Sequence, residues 1–230
     1  MKLSIVILTF NSQKYLSKVL NSCGFADEVL VVDSGSSDNT LEIANTFANT
    51  KIIHQKWLGF GKQKQAGVEA CKNNWVFVLD SDEIITDELK NEILSLDFTC
   101  KAYFVPRLNY FFGKPIRHCG LYPDATLRLF DRNCAKFSED EVHEKILTNE
   151  KTAILKNHML HFAYENIEEF ITKQNRYSSL NKRNKPLKAL FSPYWTFFKI
   201  YFLRLGFLEG WRGFVIAKLY AQYTFWKYIK

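Results

Sequence analysis

Along the first hundred positions, short continuous apolar runs alternate with stretches in which apolar residues recur every three or four places. Leu3 to Thr9 is a run of strand length. Tyr15, Leu16, Val19 and Leu20 then share one helical face behind Asn11 and Ser12, which are suited to capping it. Glu28 to Asp33 is a second strand run, and Ser34 to Asp38 is a turn-and-cap cluster feeding a helix that carries Leu41, Ile43, Ala44 and Phe47. Lys51 to His54 predicts a short third strand, Lys62 to Lys72 a helix, and Trp75 to Asp80 a fourth strand. Strand and helix alternating at this spacing mean βαβ units and a parallel sheet.

Beyond Glu83 the pattern loosens. Thr86 to Leu96 reads as an amphipathic helix capped by Thr86, followed by strand-like pieces at Ala102 to Val105, Tyr110 to Phe112, Thr126 to Phe130 and Ala153 to Phe162. Loops carrying Gly113, Pro115, Gly120 and Pro123 separate them, an irregular region in which an acceptor could bind. Ile167 to Lys185 returns to helical spacing, and the basic, polar break from Asn181 to Pro186 is the best linker candidate.

Charge and aromatic content divide the chain of 230 residues in the same place. The segment 186–230 holds 15 of the 36 aromatic residues and seven Lys and Arg against the single acid Glu209, so it carries +6 of the net charge of +7. With 47% apolar residues and no low-complexity tract the chain is globular, not disordered. No secretory signal is expected, and no apolar run reaches the roughly 18 residues of a membrane span. Five cysteines without a CxxC pair argue against a disulfide framework or a zinc ribbon and for reduced thiols in a cytoplasmic chain.

Ligands of parallel sheets bind beyond the carboxyl ends of the strands. Three of the four predicted strands end in polar candidates there: Thr9 with Asn11, Asp33, and Asp80 with Asp82. Any one aspartate after a strand could simply cap the next helix; three convergent cases favour a site. Asp80 and Asp82, one small residue apart on a rigid strand end, suit a hard divalent cation bound through oxygen, with room left for diphosphate oxygens. Such an ion balances charge developing on a departing nucleoside diphosphate.

Three segments, Ser4-Ile-Val-Ile-Leu-Thr-Phe-Asn11, Ala26-Asp-Glu-Val-Leu-Val-Val-Asp-Ser-Gly-Ser-Ser-Asp-Asn-Thr40 and Trp75-Val-Phe-Val-Leu-Asp-Ser-Asp-Glu83, resemble the family 2 inverting glycosyltransferases. The resemblance implies an α/β, Rossmann-like GT-A fold (nucleotide-diphospho-sugar transferase): a mainly parallel sheet flanked by helices, here with a C-terminal helical, aromatic-rich extension. It implies a UDP-sugar over the first two strands, with Thr9, Asn11 and Asp33 near base and ribose, and Mg²⁺ or Mn²⁺ on Asp80 and Asp82. Trp57-Leu-Gly-Phe-Gly61, Asn109-Tyr-Phe-Phe-Gly113, Ile116-Arg-His-Cys-Gly120, Tyr122-Pro-Asp124, Leu127-Arg-Leu-Phe130, Val142-His-Glu144 and Leu203-Arg-Leu-Gly-Phe-Leu-Glu-Gly210 are similar to the bacterial lipopolysaccharide inner-core β-glucosyltransferases. Gln65 departs from that pattern, where Asn is usual, and no role carries over for the acidic run Ser138 to Glu141. The expected organisation is a glycosyltransferase domain over 1–185, with a nucleotide-sugar half (1–100) and an acceptor half (101–185), and a basic helical extension over 186–230.

Inverting transfer needs one base for the acceptor hydroxyl, a role a carboxylate fills once its environment adjusts its pKa. Glu144 is the preferred candidate, and Asp124, in a Pro-containing loop where it could equally brace an Asx turn, is the second. His143 could complete the metal shell or serve structurally. In an extended Val142 to Glu144, His143 and Glu144 would face opposite ways. His158 and His161 fall in a strand pattern and are expected to be structural. Lys64, Arg117 and Arg128 could clamp a diphosphate or an anionic acceptor, Arg128 being the most clearly oriented because it sits between two apolar strand residues.

In the tail, apolar faces flanked by Lys and Arg with Trp and Tyr at their margins match helices lying in a membrane interface, although packing against the sheet would use the same residues. Basic clustering is too sparse for nucleic acid. The expected activity is metal-dependent transfer of a hexose, glucose from UDP-glucose, to a lipid-anchored inner-core saccharide at the cytoplasmic face of the inner membrane, with 186–230 on the anionic surface. Transfer to a polyprenyl phosphate and a non-catalytic sugar-nucleotide-binding scaffold are the alternatives.

Overall fold

The structure, a computed structural model, describes residues 2–138, 145–180 and 182–230. Contacts group the chain into two compact units, one of residues 1–107 with 125–161 and one of 108–124 with 162–230. The segment 186–230 therefore shares its unit with 108–124 and with the helix that precedes it.

The first unit begins with β1 (Leu3–Thr9), α1 (Gln13–Ser22), β2 (Glu28–Asp33), α2 (Thr40–Asn45), β3 (Thr50–His54), α3 (Phe60–Glu69) and β4 (Trp75–Asp80). Strand β1 lies between β2 and β4, β3 flanks β2, and all these pairings are parallel, as the alternating pattern predicts. Because successive strand residues face opposite ways, the apolar runs build two cores at once. Ile5, Ile7, Phe77 and Leu79 pack with Leu16 and Val19 of α1, whereas Val6, Leu30, Val32 and Val78 pack with Val68 of α3.

The loosely patterned region resolves differently from its sequence reading. After β5 (Glu83–Ile85) and α4 (Asp87–Leu94), the pieces expected at 102–105 and 110–112 form one strand, β6 (Ala102–Phe111). Its apolar rhythm is interrupted because Arg107 turns to the Glu83 carboxylate and Asn109 to the Leu121 carbonyl. The remaining strands are β7 (Lys114–Pro115), β8 (Asp124–Asp131), β9 (Ala135–Phe137), β10 (Ile146–Thr148), β11 (Thr152–Ile154) and β12 (Met159–Tyr164). The single strand expected over 153–162 is thus two, broken where the amides of Lys156 and Asn157 donate to Glu92, each at 2.8 Å. Strand β8 joins β4 antiparallel, and β12 pairs β5 antiparallel with His161 opposite Glu83. Thr86 caps α4 as its position predicts, accepting from the Leu89 amide at 3.2 Å. All five cysteines are free, and burial pushes the Cys23, Cys71 and Cys119 thiols up to about 12, so they act as packing residues.

The second unit adds to the ends of β6 and β12 and to β7 three helices, α5 (Ile167–Leu180), α6 (Pro186–Phe198) and α7 (Trp211–Ile229), with a π-helical turn at Lys199–Leu203 and a 3-10 turn at Gly206–Glu209. Its core joins Phe111, Ile116, Cys119, Phe170, Ile200 and Ile216. Gly213, Ala217 and Ala221 line the buried side of α7, and small residues at this spacing let neighbouring backbone come close. At Gly213 the approach is closest, since a Cβ there would meet the Gly206 carbonyl oxygen.

Two glycines are therefore fixed by space. A Cβ at Gly67 of α3 would stand 2.5 Å from a Val6 methyl that can shift, whereas at Gly213 the obstacle is backbone. Gly67→Ala is expected to destabilise by about 1–3 kcal/mol and Gly213→Ala by more, as read from urea unfolding midpoints.

Candidate functional site

The carboxyl ends of β1, β2 and β4 lie side by side, with Thr9 opposite Asp33 and Leu8 opposite Asp80. Asp33 accepts from the Thr9 hydroxyl at 3.0 Å, from the Gly35 and Ser36 amides at 2.9 Å each, and from the Ser36 hydroxyl. Partial burial would raise its carboxyl, but these donors outweigh that and hold it below the ordinary value. Asp33 thereby braces the turn after β2. Asn11, in left-handed backbone at φ 49°, receives the Ser37 amide on its side-chain oxygen at 2.8 Å and donates its own amide to Ser36. Thr9, Asn11 and Asp33 thus meet around one loop, and the Ser81 to Ser12 hydroxyl bond of 2.9 Å ties that loop's neighbour to the end of β4.

At the end of β4 the chain concentrates buried charge. Glu83 is fully buried, and Arg128 and Lys64 are each only 5% exposed. One Glu83 oxygen accepts from Arg128 at 2.5 Å and lies 3.4 Å from Arg107; the other accepts the Asp80 amide at 3.0 Å. Arg128 also donates to one Asp80 oxygen at 2.8 Å, and Lys64 lies 3.1 Å from the other. Burial would raise the Asp80 carboxyl, yet the Lys64 ammonium and the Arg128 guanidinium hold it well below the usual carboxylate range. Burial likewise opposes charge on Arg128, and Glu83 and Asp80 raise it instead. Three cations on three different elements therefore fasten the two carboxylates that bracket Asp82.

Asp82 itself is partly exposed, with 30% of its side chain accessible, and its Oδ2 lies 3.7 Å from His161 Nε2. The β5 to β12 register creates this approach by setting His161 across from Glu83, one residue beyond Asp82. An oxygen and an imidazole nitrogen at that spacing are compatible with two ligands of one Mg²⁺ or Mn²⁺ ion, although an imidazole suits Mn²⁺ better. Among the described residues no third His, Cys, Asp or Glu joins them. His158 serves through its carbonyl, which accepts the Thr86 hydroxyl at 2.9 Å.

The site residues expected from sequence are thus brought together in part. Lys64, Asp80, Asp82 and Arg128 form one cluster and Thr9, Asn11 and Asp33 another, both in the first unit. Asp124 belongs to the second unit, 3.4 Å from Asn109 Nδ2. Glu144 and His143 lie outside the described residues. Sequence reasoning did not place Glu83 or Arg107 in the cluster, Arg107 falling between two expected strands, and it expected His161 to be structural; the structure sets His161 3.7 Å from Asp82.

Residues 4–117 match the family model for Glycosyl transferase family 2. The chain is 31% identical to the lipopolysaccharide core biosynthesis glycosyltransferase LpsC of Rhizobium meliloti, over 97% of this chain and 89% of that protein. The chain belongs to glycosyltransferase family 2. A second relative, an uncharacterized glycosyltransferase of Rickettsia prowazekii, is 31% identical over 100% of this chain and 86% of its own length. Among solved structures, residues 1–349 of S. aureus TarS in complex with UDP superpose with a TM-score of 0.53 at 20% identity, covering 78% of this chain and 65% of that one. This likeness shows the GT-A type of fold expected of the family 2 resemblance.

Removing Arg128 would leave Glu83 buried with fewer partners, so Arg128→Ala is expected to destabilise by about 3 kcal/mol, the lower figure for a broken buried pair because Arg107 remains. The lowered Asp80 carboxyl contributes stability above the unfolded carboxylate pKa, and that contribution is lost as pH falls towards the folded value. Asp80→Asn should therefore be less stable than wild type at pH 7, with the difference shrinking below pH about 4 in denaturant titrations.

Proposed function

We propose that this family 2 enzyme is an inverting, metal-dependent hexosyltransferase that moves glucose from UDP-glucose to an inner-core sugar of a lipopolysaccharide precursor at the cytoplasmic face of the inner membrane. The observation that carries the reading is the partly exposed Asp82 beside His161, held at the end of β4 by a carboxylate cluster that has its own cations. The relation to LpsC over nearly the whole chain supports the acceptor class, and the UDP in the TarS complex supports the donor class. The absence, among the described residues, of a helix long and apolar enough to cross a membrane is compatible with an acceptor met at the surface.

In this reading Thr9, Asn11 and Asp33 border the base and ribose, and Lys64 and Arg128 keep Asp80 ionised and oriented towards the donor. Asp82 and His161 would hold a divalent ion, beside an Asp80 already engaged by its own cations, and that ion would supply positive charge against the charge developing on the departing diphosphate. Glu144, or Asp124 in its place, takes the proton of the acceptor hydroxyl as that oxygen bonds to the anomeric carbon and the bond from this carbon to the UDP oxygen breaks. The hydroxyl attacks from the face opposite the diphosphate, so the configuration inverts.

The test is UDP release from a panel of UDP-sugars with Mg²⁺ or Mn²⁺ and acceptor extracted from a core-truncated bacterial strain. UDP-glucose should be consumed only with acceptor and metal, and undiminished turnover in excess chelator would overturn the metal assignment. Asp82→Ala should lower kcat/KM at least about 100-fold. His161→Ala should raise the metal concentration for half-maximal rate about ten-fold or more. Glu144→Ala should keep UDP binding and lose transfer; near wild-type transfer in that variant with an inactive Asp124→Ala would move the base to Asp124.

A further inference from the structure

Helix α6 is apolar on two sides, with Lys188, Ser192 and Thr196 between them, and only one of the apolar sides is covered. Ala189 and Ile200, just beyond its end, are buried, with Pro193 and Phe197 partly so, and this stripe lies towards α7. The opposite stripe, Leu187, Phe191, Tyr194, Trp195, Phe198 and Phe202, recurs at the same helical spacing and lies between 44% and 77% exposed. Three of its rings form a ridge, with Trp195 stacked on Phe198 at 5.9 Å and Phe198 against Phe202 at 5.3 Å. The following turns extend the apolar surface through Leu203 and Leu208, 59% and 57% exposed. Contiguous apolar surface on this scale marks an interaction site.

Charge selects the partner. Lys188 and Lys199 are exposed on the same helical segment. Glu209, the one acid of 186–230, is withdrawn from the surface: its Oε1 accepts the Arg117 and His118 amides at 2.9 Å each and lies 2.7 Å from His118 Nδ1. The exposed face thus combines apolar and aromatic anchors with positive charge, and its only carboxylate is turned inward. A protein partner complementary to the ridge would need no such removal of negative charge, whereas an anionic lipid surface gains from both parts.

We infer that the outer face of α6 and the turns that follow it form a docking face for an anionic lipid bilayer, with the aromatic ridge at head-group depth and Lys188 and Lys199 against lipid phosphates. This deepens the lipid-linked acceptor reading and rests on it for its biological sense, but its evidence is the surface alone. It is read without donor, acceptor or metal, so its failure and the failure of the transferase reading are distinguishable.

The experiment is co-sedimentation of the full chain with vesicles of phosphatidylglycerol and phosphatidylethanolamine, compared with pure phosphatidylcholine. Wild type should pellet with the anionic vesicles and remain in solution with phosphatidylcholine. Trp195→Ser with Phe198→Ser should lower the partition coefficient about ten-fold or more, with the unfolding midpoint unchanged because both side chains are exposed. Lys188→Gln with Lys199→Gln should weaken binding and flatten its salt dependence. If the apolar double variant misfolds, single Phe191→Ser and Tyr194→Ser variants provide the same reading. Wild type remaining in the supernatant, undiminished binding of the folded apolar variants, retention on an oligonucleotide in place of vesicles, or a dimer by light scattering that the same variants dissociate would each overturn the inference.

Discussion

The candidate site depends on matching a carboxyl group with cations where water does not reach it. Glu83 has no exposed surface, and an ion there is tolerable only because Arg128, Arg107 and a backbone amide meet it. From that constraint the local arrangement follows. The residue that neutralises Glu83 also binds Asp80, Asp80 engages Lys64 from α3, and α3 can supply that lysine because Gly67 lets it lie close on β1 and β2. Asp80 and Asp82 are about equally open, at 32% and 30% of their side chains, and differ in what they face: Asp80 is engaged by two cations and Asp82 by an imidazole.

The cluster also shows why two aspartates separated by one serine should not be treated as equivalent. Both Asp80 oxygens already face cations, and its proton affinity is lowered by them. The Asp82 carboxylate instead faces an imidazole. A metal held by Asp82 would find a ligand whose position is set indirectly, through the Glu83 contact to the Asp80 amide that shapes the intervening turn.

What could be read from the chain and what could not divide along sequence distance. The four parallel strands, their two-sided burial and the Thr86 cap follow from local periodicity and turn chemistry, and the strand ends carrying Thr9, Asp33 and Asp80 were legible for the same reason. His161 was not, because only the pairing of β12 with β5 brings it to Asp82, a contact 79 positions apart in the chain. The gap expected within β6 arose because Arg107 and Asn109 look like loop residues until their partners are known. In the tail, composition announced an aromatic, basic surface, but not which stripe of α6 would be covered or that Glu209 would turn inward.

The Glu209 contacts have one more consequence. By accepting the Arg117 and His118 amides, this side chain fastens the 116–120 loop to the turn between α6 and α7, within the same compact unit that contains Asp124. If the ridge on α6 rests on a bilayer, that loop becomes a fixed spacer above the head groups. The ridge, the 116–120 loop and Asp124 would then be carried on the membrane together, because all three belong to the same compact unit.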